Sequence, residues 1–115
     1  MKLLPQVSLP EYPFKINHQT PTLMMGSCFT ENVGRQPERY LFPVCINPFG
    51  VTYNPLSVKK GLEALINKES YSADELKQHN DLWFSFDHYT GFSSPDRQVA
   101  LDQINRSFKS AKTAL

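Results

Sequence analysis

The sequence predicts an α/β fold, on three observations. Leu23-Met24-Met25 is a short apolar run ending at Gly26, and the residues after it are helix-compatible, so a buried strand turns sharply into a helix. Phe42 to Ile46 is a second short apolar run, interrupted by Pro43, with the character of an edge or crossing strand. Leu101, Ile104, Phe108, Ala111 and Leu115 recur at spacings of three and four, which is one apolar face of an amphipathic helix.

Taken in order, residues 1–21 carry Pro5, Pro10, Pro13 and Pro21, four of the nine prolines. Proline lacks the amide donor, so this stretch reads as an extended surface arm, with one α/β domain over 22–115. The first helix starts at Phe29 and is expected to be short or kinked, because Pro37 removes a backbone bond and crowds the turn before it. Two Asn-Pro pairs and Gly50 between Asn47 and Pro55 specify an ordered loop. Ser57 then caps a helix on Val58, Leu62, Leu65 and Ile66 that runs to Lys68. Ser72 with Glu75 is a capping-box pattern for a short helix to His79, and Leu82 to Phe86 is an aromatic strand. Ser94 caps the last helix, with Pro95 and Asp96 suited to its first turn. Its apolar face still runs at Leu115 with no glycine stop. The expectation is therefore a truncated chain whose last helix lacks its partner surface.

Composition removes several function classes. In 115 residues, 12 Lys and Arg offset 11 Asp and Glu for a net charge of +1. No excess positive charge is present to displace counterions, so neither nucleic acid nor a membrane surface is an expected partner. No apolar run approaches the roughly 18 residues of a membrane span. Met1-Lys2-Leu3-Leu4-Pro5 begins like a signal peptide, but Pro5, Gln6, Ser8, Pro10 and Glu11 break the apolar region. Cys28 and Cys45 are too few for a disulfide scaffold and read as reduced thiols of a cytoplasmic protein. The cysteines and His18, His79 and His88 show no zinc-ligand spacing, and no glycine-rich phosphate loop occurs, so no metal or other cofactor is expected.

The sharpest local feature is Gly26-Ser27-Cys28-Phe29. A glycine at a strand end permits a tight turn that leaves the next side chain exposed, and the first helical amides point at the same spot. That is a sensible seat for a nucleophilic Ser27 with oxyanion donors beside it, and equally for a helix-capping serine. Cys28 is the rival nucleophile, but a neighbour of a cleft-facing serine reads as a small buried core residue. His88 follows Asp87 directly, so the two side chains would diverge on a strand; His88 reads as a structural or substrate-side group. Trp83, Phe84, Phe86 and Tyr89 read as core aromatics, with a sugar-stacking surface as the alternative.

Met25 to Gly34, followed by Asn47-Pro48-Phe49-Gly50-Val51-Thr52-Tyr53-Asn54-Pro55-Leu56-Ser57, resembles the N-terminal portion of the GSCFA family. Thr30 replaces the alanine of the family signature, and Leu82 to His88 also fits its pattern. The resemblance implies a relation to SGNH hydrolases and an incomplete doubly wound, flavodoxin-like parallel sheet with flanking helices. It implies Ser27 as the attacking hydroxyl, its own amide as part of the oxyanion hole, Gly50 as the second donor, and Asn47 and Asn54 as cleft residues. The substrate would be a small-molecule or carbohydrate ester. The Asp-x-x-His that supplies the base in SGNH enzymes is absent, as is a Gly-x-Asn element after Phe92. The resemblance therefore covers the nucleophile-bearing first third of such an enzyme, inactive alone. The alternative reading is a non-catalytic module that self-associates through the apolar face around Ile104 and Phe108.

Overall fold

Why a chain with so few long apolar runs builds a core at all is answered by how its short elements cross. The computed structural model describes residues 3–115, so Met1 and Lys2, where the expected arm and the signal-like start begin, lie outside the described residues. Strand β1 (Thr22–Met24) runs into helix α1 (Cys28–Arg39), which leads to strand β2 (Val44–Ile46). β1 and β2 pair in parallel, with Thr22 opposite Val44, Leu23 opposite Cys45 and Met24 opposite Ile46. A parallel pair needs a crossover, and α1 supplies it, so this part is a βαβ unit. Helix α2 (Pro55–Asn67), a 3-10 turn (Ala73–Glu75), an antiparallel hairpin of β3 (Lys77–His79) and β4 (Leu82–Phe84), a second 3-10 turn (Thr90–Phe92) and helix α3 (Arg97–Thr113) follow. The fold is thus mixed α/β, with a small parallel sheet and three helices. Residues 3–21 form neither helix nor strand and are exposed almost throughout. Among the described residues, no helix is long and apolar enough to cross a membrane.

α1 meets the sheet through Gly34, its one buried residue. A Cβ there would fall 2.9 Å from the Ile46 side chain and 3.3 Å from the Met24 sulfur. Glycine inside a helix costs about 1 kcal/mol against alanine, and here it admits close approach of helix and sheet. Pro37 lies in the last turn, and the helix stops two residues later. The stop is a Schellman motif: the Leu41 N–H donates to the Glu38 carbonyl and the Phe42 N–H to the Pro37 carbonyl, both at 3.0 Å. Leu41 fills the left-handed position, φ 62°, where glycine is usual.

Three elements differ from expectation. α2 begins before Ser57: the Asn54 side chain accepts the Leu56 N–H at 2.8 Å, and Pro55 takes the first helical position. The helix expected over 72–79 is absent. Ser72 N–H does donate to Glu75 Oε2 at 2.9 Å, but only a single 3-10 turn forms. Asn80 and Asp81, at φ 48° and 60°, make a two-residue hairpin turn of type I′, and this draws 77–79 into a strand. The aromatic strand ends at Phe84 rather than Phe86. α3 is capped by Asp96, whose Oδ1 accepts from the Gln98 and Val99 N–H groups at 2.8 and 3.1 Å. Ser94 instead accepts the Asp96 N–H and bridges to Trp83.

The core gathers on α3. Ala100, Ile104, Phe108 and Ala111 are buried against Phe49, Leu65, Tyr71 and Leu76. Phe108 stands edge-on to Tyr71 and Phe49, at centroid distances of 5.2 and 6.1 Å. The face around Ile104 and Phe108, expected to lack a partner, is therefore covered by this chain's own residues. Leu115 is off that face and exposed.

Leu41 is 85% exposed, so its side chain holds nothing in place while its backbone bears the left-handed penalty of about 1–2 kcal/mol. Leu41→Gly is expected to raise unfolding free energy by about 1 kcal/mol, after allowing for glycine's greater entropy in the unfolded chain. Urea midpoints of the two proteins check this.

Candidate functional site

The corner between β1 and α1 is built from backbone, and its groups can be accounted for one by one. Gly26 has φ 156° and Ser27 is extended, φ −74° and ψ −176°. The Gly26 N–H donates to Asn47 Oδ1, and the Gly26 carbonyl accepts from the Thr52 N–H, each at 2.8 Å. The Ser27 carbonyl accepts from Thr30 N–H at 2.9 Å and from Asn47 Nδ2 at 3.5 Å. The Ser27 hydroxyl accepts the Phe29 N–H at 3.2 Å, so Ser27 is the cap of α1. The N–H groups of Ser27 and Cys28 have no acceptor among the described residues. They sit at a helix N-terminus, where partial positive charge collects. Ser27 itself is half-buried, at the strand's carboxyl end.

Asn47, expected only to shape the cleft, is the fastener of this corner. It is buried, takes the left-handed conformation at φ 44°, and continues the β1–β2 pairing through its N–H on the Met24 carbonyl at 2.8 Å. Its carbonyl accepts the Gly50 N–H at 2.8 Å, closing the Asn47–Gly50 turn. Gly50 is therefore not a spare oxyanion donor, since its amide is engaged in that turn. Its glycine identity has another cause: at φ 85°, a Cβ would lie 2.2 Å from that of Tyr89. The Tyr89 N–H donates to the Phe49 carbonyl at 2.8 Å, so the loops 47–50 and 88–89 are locked together. Asn54 is a helix cap, with its Oδ1 engaged and its NH2 without a partner among the described residues.

Cys28 is exposed, not a core residue, because α1 turns its first residue outward. Its thiol lies beside Tyr53, and hydrogen bonding to it pushes the Tyr53 phenol above its usual range. Cys45 is half-buried on β2, and burial pushes its thiol up.

The histidines stand apart from Ser27. His18 contacts the Tyr40 carbonyl through Nε2 at 2.8 Å and stacks on Phe42. His79 ends β3 at the hairpin turn. His88 Nδ1 contacts Ser85 Oγ at 2.9 Å, and the ring lies among Phe49, Tyr71 and Phe92. Burial holds its pKa down at about 4, while Asp87 and Glu75 oppose that effect and Lys68 adds to it. Its Nε2 is shielded from solvent and has no partner. Asp87 faces other groups, Lys60 Nζ at 2.6 Å and the Tyr71 hydroxyl at 3.3 Å. Asp87 and His88 are thus neighbours in sequence and separate in function. Tyr71, Lys60 and Ser85 were not legible as site residues. The one available signal was the run Ser85 to Tyr89 itself, polar groups interleaved with rings after a strand.

Among the described residues, no group of three His, Cys, Asp or Glu side chains is placed to hold a metal ion. The model of the GSCFA family matches residues 21–115, from the strand before the Ser27 corner to the end of the last helix. No curated protein matches the chain. No solved structure matches it either.

Two measurements probe this geometry. Asn47→Ala loses the bond to Gly26 and places alanine at φ 44°, and is expected to cost about 2–3 kcal/mol. Asn47→Gly relieves the backbone and loses only the two side-chain bonds, to the Gly26 N–H and the Ser27 carbonyl, so it should cost about 1–2 kcal/mol; equal losses would show that the side-chain bonds alone matter. The second is pH dependence. Below pH 6.5 the unfolded chain protonates His88, whereas the folded chain does so only near pH 4. The unfolded state binds more protons in that window, so stability is full above pH 6.5 and falls as pH drops towards 4. The loss reaches up to about 3 kcal/mol, and His88→Gln should flatten it in thermal melts taken across that range.

Proposed function

The chain belongs to the GSCFA family, and from that premise we propose that Ser27 is the nucleophile of a serine-dependent ester hydrolysis of the SGNH type. The observation that carries the reading is the Ser27 corner, with a hydroxyl at a strand-to-helix turn and two amides beside it that have no acceptor among the described residues. In the proposed reaction the Ser27 oxygen attacks the ester carbonyl, and the Ser27 and Cys28 N–H groups receive the oxyanion. The alcohol leaves with a proton, and water then releases the acid from the acyl-serine.

The hydroxyl proton needs a base, and none of His18, His79 and His88 hydrogen-bonds Ser27. Among the described residues the proposed site thus has its nucleophile end without a base, and a low activity on its own follows. Nucleophile and base act as a unit, so losing either one removes most of the rate.

Chemical rescue tests the proposal. With p-nitrophenyl acetate and added imidazole, acetyl should transfer to Ser27 at least about tenfold faster than to any residue of Ser27→Ala, read as an acetyl adduct by mass spectrometry. Equal acetylation of both proteins would overturn the nucleophile assignment. Turnover without imidazole that Ser27→Ala abolishes would overturn the missing-base claim and place the base within this chain.

A further inference from the structure

Beside the Ser27 corner lies a groove of about 260 Å³, walled by the loop 49–54, the first turn of α2 and the loop 86–89. We propose that this groove is a saccharide subsite, with Tyr53, Phe86 and Tyr89 as stacking rings, so that the ester is carried on a sugar; the inference rests on the hydrolase reading above.

Three observations converge on it. First, the rings are left outside the core. Tyr53 is 75% exposed, Phe86 80% and Tyr89 55%, although the same chain buries Phe49, Tyr71 and Phe108 almost completely. Three exposed rings on one groove are a costly use of apolar surface unless a ligand covers them. Second, hydrogen-bonding capacity stands between the rings. Ser57 Oγ and the Asn54 NH2 are exposed there and have no partner among the described residues. Such groups want a ligand with both donors and acceptors, as hydroxyls are.

Third, charge excludes the competing ligands. The Asp87 carboxylate is neutralised by Lys60 at 2.6 Å, so the groove has no spare cation for a phosphate or carboxylate. Among the described residues, Val51 is the one aliphatic side chain in the wall, too little to enclose a fatty chain. A neutral, hydroxyl-rich molecule with apolar ring faces fits the rest. The groove also adjoins the corner: Thr52 donates its N–H to the Gly26 carbonyl at 2.8 Å, and Tyr53 lies beside Cys28. An acyl group on a sugar seated there is thus carried towards the hydroxyl at position 27.

The test is binding to the intact chain carrying Ser27→Ala, followed through backbone amide resonances. The probes are cellohexaose, xylohexaose and mannohexaose, with octanoate as a bare acyl chain. At least one hexaose should shift residues 52–57 and 86–89 selectively, and octanoate should not. The double variant Tyr53→Ala with Phe86→Ala removes only exposed rings, and should weaken that binding about tenfold or more with the rest of the spectrum unchanged. The inference is overturned if no hexaose shifts these residues at millimolar concentration, if the double variant binds as well as its parent, or if octanoate alone moves them. No arm needs hydrolysis. Sugar binding without Ser27-dependent acetyl transfer would sink the hydrolase reading alone, and acetyl transfer without sugar binding would sink the subsite alone.

Discussion

The side chain of Asn47 joins the two turns on which the candidate site stands. Its oxygen takes the Gly26 N–H and its nitrogen reaches the Ser27 carbonyl, while its own backbone extends β2 and closes the Asn47–Gly50 turn. A buried amide side chain is tolerated only when it is satisfied, and this one is satisfied by backbone. The left-handed φ of 44° narrows the choice further, since asparagine adopts it far more readily than leucine or valine. Because the interior groups of the corner are all engaged with Asn47, Thr52 and Thr30, the amides left over are those of Ser27 and Cys28. The two amides without an acceptor are thus what the clamp leaves over, not a separate feature.

That clamp is held in turn by α3. Phe49, two residues after Asn47, is buried against Phe108, and the Ser107 hydroxyl donates to the Pro48 carbonyl at 2.7 Å. Asn105 grips the Tyr71 backbone from both sides, accepting its N–H at 2.8 Å and donating to its carbonyl at 2.9 Å. Tyr71 and Phe49 then form two walls around His88. One line of contacts therefore runs from the last helix, through the Asn-Pro loop, to the first turn of α1. The same contacts keep His88 neutral near pH 7, as an uncharged hydrogen-bonding group rather than a cation.

How much of this the sequence disclosed depended on range. The βαβ unit was readable because each of its parts is a short local pattern closed by glycine or proline. The buried face of α3 was readable from period alone, with Ala100 in place of Leu101 as its first fully buried member. The hairpin was missed because Ser72 and Glu75 form a true capping contact that announces a helix, while the decisive signal was the left-handed pair Asn80-Asp81 a few residues on. Asp96 and Asn54 displaced Ser94 and Ser57 as caps, since all four residues have the right chemistry and only the helix start selects among them. At the site, Ser27 and Asn47 were marked by local turn chemistry. The bonds between them, and the engagement of the Gly50 amide, span about twenty residues of chain and leave no local trace. Cys28 was misplaced for a related reason: which side of a helix start faces solvent depends on the sheet beneath it.

Capping and nucleophilic roles for Ser27 are compatible on energetic grounds. A capping bond is worth about 1 kcal/mol, so releasing the Phe29 N–H as the oxygen moves onto a carbonyl adds little to a barrier. Before that step the same bond holds the hydroxyl in one rotamer at the positive end of α1, where developing negative charge is favoured. In the proposed reaction the cap preorganises the oxygen, so a capping bond and a nucleophilic role sit together in one serine. Among the described residues no acceptor takes the Ser27 hydroxyl proton, and the exposed rim of the corner leaves room for the base that the proposed reaction needs. Cys28, Phe29 and Tyr53 are all exposed at the mouth. An imidazole arriving over that rim meets a hydroxyl whose proton has no acceptor among the described residues. In the proposed reaction the remaining requirement is the reach of that base, because the cap already holds the oxygen.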